Sequence, residues 1–457
     1  MTDRATLELW FEDALLPDGW ASGVRVSAVG GRISGLEVDA PPRPGDARHA
    51  LAVPGLCNVH SHAFQRGMAG LAETRGPADD NFWTWREVMY RFLDRLTPDD
   101  VEAIAAQAYV EMLERGFTRV GEFHYLHHDI DGRPYGAVGE LAERIAAAAH
   151  ETGLGLTLLP VFYAHGGLGG APPSPGQRRF LNDIQMFSRL LEASRQAAAR
   201  LPDANVGVAP HSLRAVTPQE LDALTALAGK GPIHIHAAEQ VKEVEDCVAW
   251  SGRRPVEWLV DRGIDRRWCL IHATHLTEDE TAALAASGAV AGLCPITEAN
   301  LGDGTFPAEA YVTAGGRIAI GTDSNILIDG AGELRALEYA QRLARRARNV
   351  LAEREGASVG GALYRAALAG GAQALGLGPT GLEVGAPADI VTLNLDHPSL
   401  VGRRRDGALD GWIFAGGADV VETVWRYGDP VVKDGRHRDR EPVAARYRQV
   451  VRRLLSR

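Results

Sequence analysis

Between about Thr97 and Leu375, apolar β-rich runs alternate with Ala/Leu/Arg/Glu stretches of helical period, and that alternation leaves few folds open. Predicted strands fall at 118–123, 155–161, 205–209, 232–236, 268–272, 289–294 and 317–321. Predicted helices lie between them at 99–115, 139–152, 217–228 and 334–348, and Thr217-Pro218-x-Glu220 reads as a helix start. Strand–helix alternation of this length predicts a parallel (β/α)8 TIM barrel in the α/β class. No Gly-rich dinucleotide fingerprint follows the first strand, which disfavours an open Rossmann sheet.

The flanks read differently. Short strands are expected at 6–11, 23–29, 32–37 and 50–53, and again at 389–393, 419–427 and 429–433. The expected organisation is a split β-sandwich domain (1–53 plus 378–437), a barrel (54–377) and a C-terminal helix (438–457). From Arg436 to Arg457 there are eight arginines against two acids, and docking of this tail on the body or a second subunit is expected.

A length of 457 residues suits one large domain with a smaller companion. A formal charge of −11 argues against nucleic acid as the main partner. No apolar run reaches the roughly 18 residues a membrane helix needs, and 1–12 lacks a leader pattern, so no membrane association is expected. Four scattered cysteines, with no CxxC pair, fit a reducing cytoplasm.

Histidine placement carries the chemistry. His60-x-His62 follows a short apolar segment, and residues two apart on a strand share a face. His236 ends a second apolar run with Glu239 three residues on, His272 ends a third, and Asp323 follows a fourth. Barrel enzymes assemble their sites at the carboxyl ends of strands. Three imidazoles and a carboxylate suit Zn²⁺ with a position left for water. His234 reads as a hydrogen-bonded core histidine, His127 and His128 as members of a solvated loop, and His275 as the start of a helix. Gly252 is the expected end of the helix before it.

The pattern resembles the amidohydrolase superfamily and, within it, the formimidoylglutamate deiminases. The resemblance rests on Asn58-Val-His-Ser-His-Ala-Phe-Gln-Arg66, Asn81-Phe-Trp-Thr-Trp-Arg86 and Glu122-Phe-His-Tyr-Leu-His-His-Asp129. It continues through His211-Ser-Leu-Arg-Ala-Val216, His234-Ile-His-Ala-Ala-Glu-Gln240 and Thr297-Glu-Ala-Asn-Leu-Gly-Asp-Gly304. It implies His60, His62, His236 and Asp323 as ligands of one divalent metal, Zn²⁺. Binuclear relatives bridge two metals with a carboxylated lysine. Only Lys230, Lys242 and Lys433 exist here, none at a predicted strand end, which implies a mononuclear site.

From their placement beside those ligands, Glu239, His272 and Asp323 are the expected catalytic groups. The resemblance makes Gln65, Arg86, Tyr125, His211 and Arg214 the substrate cradle, and a homodimer the expected assembly. The implied reaction is hydrolysis of a C–N bond in a linear amidine, a formimidoyl dicarboxylate of histidine degradation, releasing ammonia. Arginine forks match carboxylates bidentately, which suits a dicarboxylate tail. A deaminase or an imidazolonepropionase-like ring hydrolase is the alternative, and a non-catalytic scaffold on the same fold a remote one. One departure stands beside a ligand: Asn325 follows Asp323-Ser324 where the resemblance leads one to expect histidine.

Overall fold

The computed structural model describes residues 6–76 and 80–456; the first five residues of the leader reading lie outside them. Four strands open the chain: β1 (Leu7–Leu16), β2 (Gly19–Val29), β3 (Arg32–Glu37) and β4 (Ala47–Pro54). The barrel strands follow as β5 (Leu56–Ser61), β6 (Phe117–His124), β7 (Gly155–Phe162), β8 (Asn205–Val206), β9 (Ala209–Pro210) and β10 (Ile233–Ala237). They continue as β11 (Trp268–His272), β12 (Val290–Leu293) and β13 (Arg317–Ile320). Short β8 and β9 both pair with β7, so they share one of the eight barrel positions.

All barrel pairings are parallel, and every residue of β6, β7, β10 and β11 is buried, as strands covered on both faces must be. Two seams close the ring. At one, Val208 bridges Ile233 and Ser212 bridges His236. At the other, the His62 amide donates to the Asp323 carbonyl and the Asp323 amide donates to the His60 carbonyl, both at 2.9 Å. Gly321 permits that second approach, since a Cβ there would lie 2.8 Å from the Cβ of His60.

The flanks meet in one eight-stranded sheet. After the barrel come β14 (Ile390–Leu393), β15 (Val421–Arg426), β16 (Asp429–Lys433) and β17 (Arg436–His437). The spatial order is β17-β16-β15-β14-β4-β1-β2-β3, so β4 joins the N-terminal strands to the C-terminal ones. Leu9, Phe11, Val24 and Val26 share a small core with Ile390 and Trp425. The flanks thus form one continuous sheet with its own core, where two facing sheets of a sandwich were expected.

Three expectations need correction. Asp406–Ala415, in a flank read as strands, is a helix whose Trp412 is buried and whose Asp406 pairs with Arg365. His127 and His128 are not solvated: both are buried, with their Nε2 atoms 2.8 and 2.6 Å from the carbonyls of Val161 and Leu181. His275 does not start a helix, because Thr277 caps the helix Glu278–Ser287. Other readings stand as observed. Gly252 ends its helix in the left-handed conformation, Thr217 forms a capping box, and His234 is buried with Nε2 2.7 Å from the Ala374 carbonyl.

The basic C-terminal helix Arg440–Leu455 docks on the barrel's own surface. Val443 and Leu454 are buried, Arg440 pairs with Glu114 at 2.7 Å, and the Tyr447 hydroxyl donates to the Arg66 carbonyl. No helix among the described residues is long and apolar enough to cross a membrane.

A buried charge network links the small sheet to the barrel. Asp203 pairs with Arg119 of β6 and with Arg426 of β15, and Arg426 also reaches Asp389 at 3.1 Å. Removing one partner strands the others without compensation, at a cost of about 3–5 kcal/mol. Arg426→Met should lower the unfolding free energy measured by urea titration by that amount, and an unchanged free energy would contradict the network's role.

Candidate active site

The side chains that sequence reasoning singled out come together at the carboxyl ends of β5, β10, β11 and β13. His60 Nε2 lies 3.0 Å from His236 Nε2 and 3.4 Å from Asp323 Oδ1, and His62 Nε2 lies 3.2 Å from the same oxygen. Ligands sharing a cation through bonds of about 2.0–2.1 Å must sit at such mutual separations. His62 Nδ1 faces the Phe123 carbonyl at 3.0 Å and His236 Nδ1 the His211 carbonyl at 2.9 Å. Each carbonyl takes an N–H, which leaves the Nε2 lone pair aimed inward.

Burial decides the charge states. It pushes the His60 imidazole down to about 3 and His236 well below its ordinary range, so both are neutral at pH 7. Burial alone would raise Asp323, but the adjacent His60 and His62 rings outweigh it and hold the carboxyl well below its usual range. Neutral nitrogens around an ionised carboxylate form a donor set that fits a divalent metal.

His272 also enters this cluster, since donor atoms of His60, His236, His272 and Asp323 all lie within 4.8 Å of one another. Its electrostatics differ. Burial would lower it, yet Glu239, Glu298 and Asp323 together hold it up to about 10. Its Nδ1 lies 3.2 Å from Glu298 Oε1, and its Nε2 stands 3.9 Å from both Glu239 and Asp323. His62 Nε2, 3.2 Å from Asp323, is closer to it than His272 Nε2 at 3.9 Å, so His62 is the better fourth donor and His272, held by Glu298, is better placed for charge stabilisation.

A cavity of about 670 Å³ opens beside the cluster, lined by Gln65, Arg86, Tyr125, His211, Arg214 and Glu239 among others. The helix Phe82–Leu93, capped by Asn81, brings Arg86 into it. Both guanidiniums stand over the Trp83 ring, Arg86 at 4.6 Å and Arg214 at 5.6 Å from its centroid. Arg86 Nε, Arg214 Nη1 and Gln65 Oε1 are buried without a hydrogen-bond partner among the described residues. Leaving such groups unpaired costs about 1–3 kcal/mol each, so together they define what a ligand must offer: acceptors for the two forks and a donor for the amide oxygen. Gln65 is oriented by its amide, which donates to the Tyr125 hydroxyl at 2.7 Å. Burial and the nearby Arg214 keep His211 well below its ordinary range and thus uncharged.

Glu239 is 4 % exposed, and burial raises its carboxyl while His272 and Arg214 oppose that shift. Its backbone is fixed by Glu243, whose carboxylate accepts the amides of Ala238 (3.1 Å) and Glu239 (3.3 Å). Ala238, His272, Ala273 and Asp323 all have positive φ, so strained backbone clusters where the strands end. Sequence reasoning missed Glu243 and Glu298 as contributors. Glu298 stands inside the quoted 297–304 segment, but only folding reveals that it meets His272.

A model of the amidohydrolase family matches residues 51–431, and one described as "Formimidoylglutamate deiminase HutF, N-terminal domain" matches residues 10–50. The formimidoylglutamate deiminase of Pseudomonas aeruginosa is 50% identical over 98% of this chain and 99% of its own. A 5-methylthioadenosine/S-adenosylhomocysteine deaminase of Natronomonas pharaonis is 29% identical over 85% of this chain and 83% of its own. Among solved structures, an amidohydrolase from Brucella melitensis superposes with a TM-score of 0.96 at 55% identity, covering 98% of this chain and all of that one. An adenosine deaminase from Xanthomonas campestris with bound zinc gives 0.80 at 25% identity, covering 98% of each chain.

The donor geometry makes a direct prediction. His236→Ala should lose bound divalent metal while Glu298→Gln keeps it, read as the metal-to-protein ratio by elemental analysis; metal retained in His236→Ala would remove that residue from the donor set.

Proposed function

The chain belongs to the amidohydrolase family, and from that membership and the cavity's chemistry we infer a metal-dependent hydrolase that converts N-formimidoyl-L-glutamate to N-formyl-L-glutamate and ammonia. The observation that carries the substrate is the pair of half-buried guanidiniums, each with one buried N–H that has no hydrogen-bond partner among the described residues, lining the same cavity as His62, His236, His272 and Asp323. Two forks match two carboxylates, and Gln65 Oε1 matches an N–H of the amidine.

His60, His62, His236 and Asp323 are the residues that would hold one Zn²⁺. When bound, such an ion supplies Lewis-acid activation of water at neutral pH. The reaction adds water across the C=N bond of the formimidoyl group, and both of that water's protons end on the departing nitrogen. Asp323, ionised, is placed to accept the first. Glu239, whose raised carboxyl exchanges protons nearer neutrality, is placed to carry protons to the nitrogen so that it leaves as ammonia. His272, protonated and backed by Glu298, stabilises negative charge growing on the oxygen at the reacting carbon.

A second reading has its own support. Phe82, Trp83, Tyr90, Phe180 and Trp250 give the cavity aromatic walls that would also suit a flat heterocyclic amine. Ammonia release, compared across N-formimidoyl-L-glutamate, N-formimidoyl-L-aspartate and 5′-deoxyadenosine, separates the two. Preference for the glutamate compound is expected, and preference for the nucleoside would overturn the assignment. Arg86→Ala and Arg214→Ala should chiefly raise KM, whereas Glu239→Gln should lower kcat by about 10²–10⁴-fold with metal retained.

A further inference from the structure

The seam where β13 meets β5 contains a polar chain that none of the roles above uses. Asn58, Ser61, Thr322 and Asn325 are fully buried. The Asn58 side-chain amide donates to Thr322 Oγ1 at 2.7 Å, and that hydroxyl donates to Asn325 Oδ1 at 2.6 Å. Asn325 Nδ2 then donates to Ser61 Oγ and to the His62 carbonyl, both at 3.1 Å. On the return side, Asn58 Oδ1 accepts the amides of Thr322 (3.1 Å) and His60 (3.3 Å). Every side-chain donor and acceptor along this path is matched in one direction, so the chain has a single low-energy arrangement.

Its location matters more than its strength. It ties the peptide carrying His60 and His62 to the one carrying Asp323, on both sides of the 3.2 and 3.4 Å contacts between them. Asp323 (φ 42°) and Asn325 (φ 54°) are both left-handed, a conformation that asparagine tolerates better than most residues do. Asn325, the departure noted in the sequence, thus supplies both the turn and the link across the seam.

We propose that Asn58, Thr322 and Asn325 form a positioning clamp that sets the spacing of the His60/His62 pair against Asp323, and thereby the affinity and coordination geometry with which they hold a divalent metal. The clamp rests on the metal-site reading above. Thr322 is its hinge: valine there keeps the shape but leaves the Asn58 donor and the Asn325 acceptor without partners, while serine keeps the hydroxyl.

The test uses the full chain stripped of metal. Zn²⁺ affinity is measured by competition with a chromogenic chelator, the visible absorption of the Co²⁺-loaded protein reports coordination, and melting of the stripped protein reports fold. Thr322→Val should bind Zn²⁺ about 10–100-fold more weakly with an altered Co²⁺ spectrum, and Thr322→Ser should restore both. Asn58→Asp removes the same donor with little change of shape and should act in the same direction, which keeps the test open if the valine variant does not fold. A variant that melts lower yet keeps wild-type Zn²⁺ affinity and Co²⁺ spectrum would overturn the clamp. Wild-type protein binding Zn²⁺ no better than His236→Ala would instead overturn the metal site itself, and the clamp with it.

Discussion

Neutral imidazoles buried against a single ionised carboxylate are the arrangement the rest of this molecule has to support. In water, each ring would be free to take a proton and each polar atom a solvent partner. Here His60 and His236 are pushed to the uncharged form by burial, and the Asp323 carboxyl is kept ionised by His60 and His62. Such a group of donors is costly to desolvate unless a cation draws them together. His272, of similar burial but facing three carboxylates, goes the other way and carries charge. One cluster therefore contains imidazoles with opposite tasks, separated by which acids they face.

The barrel makes the arrangement possible because parallel strands end on one face. Several non-glycine residues with positive φ stand at those ends, namely Ala238, His272, Ala273, Asp323 and Asn325. Local hydrogen bonds hold the strained turns: Glu243 accepts the two amides around Glu239, and Asn325 spans the seam to His62. The small sheet contributes from a distance. Its Arg426 reaches Asp203 and Asp389, which locks the flank strands onto the barrel wall rather than onto the site.

Much of this was legible in the sequence for physical reasons. Strand–helix alternation has a strong period, and polar residues at the ends of apolar runs stand out against it. His60, His62, His236, His272 and Asp323 were found that way. Arg86 and Arg214 were legible only through resemblance, because nothing in local spacing shows that they share Trp83. Partners fixed by tertiary approach were not legible: Glu298 meets His272 from 26 residues away, and Thr322 meets Asn58 from 264. The buried state of His127 and His128 was missed because a polar run reads as a loop, while their burial depends on carbonyls of Val161 and Leu181 elsewhere in the chain. The helix Asp406–Ala415 was missed because its apolar residues lack a clear helical period.

The most direct measurement is X-ray diffraction at the zinc absorption edge from crystals grown with Zn²⁺. A single anomalous peak within bonding distance of His60, His62, His236 and Asp323, with His272 outside that distance, is the expected result. Two peaks, or one peak bound by His272 in place of His62, would contradict it.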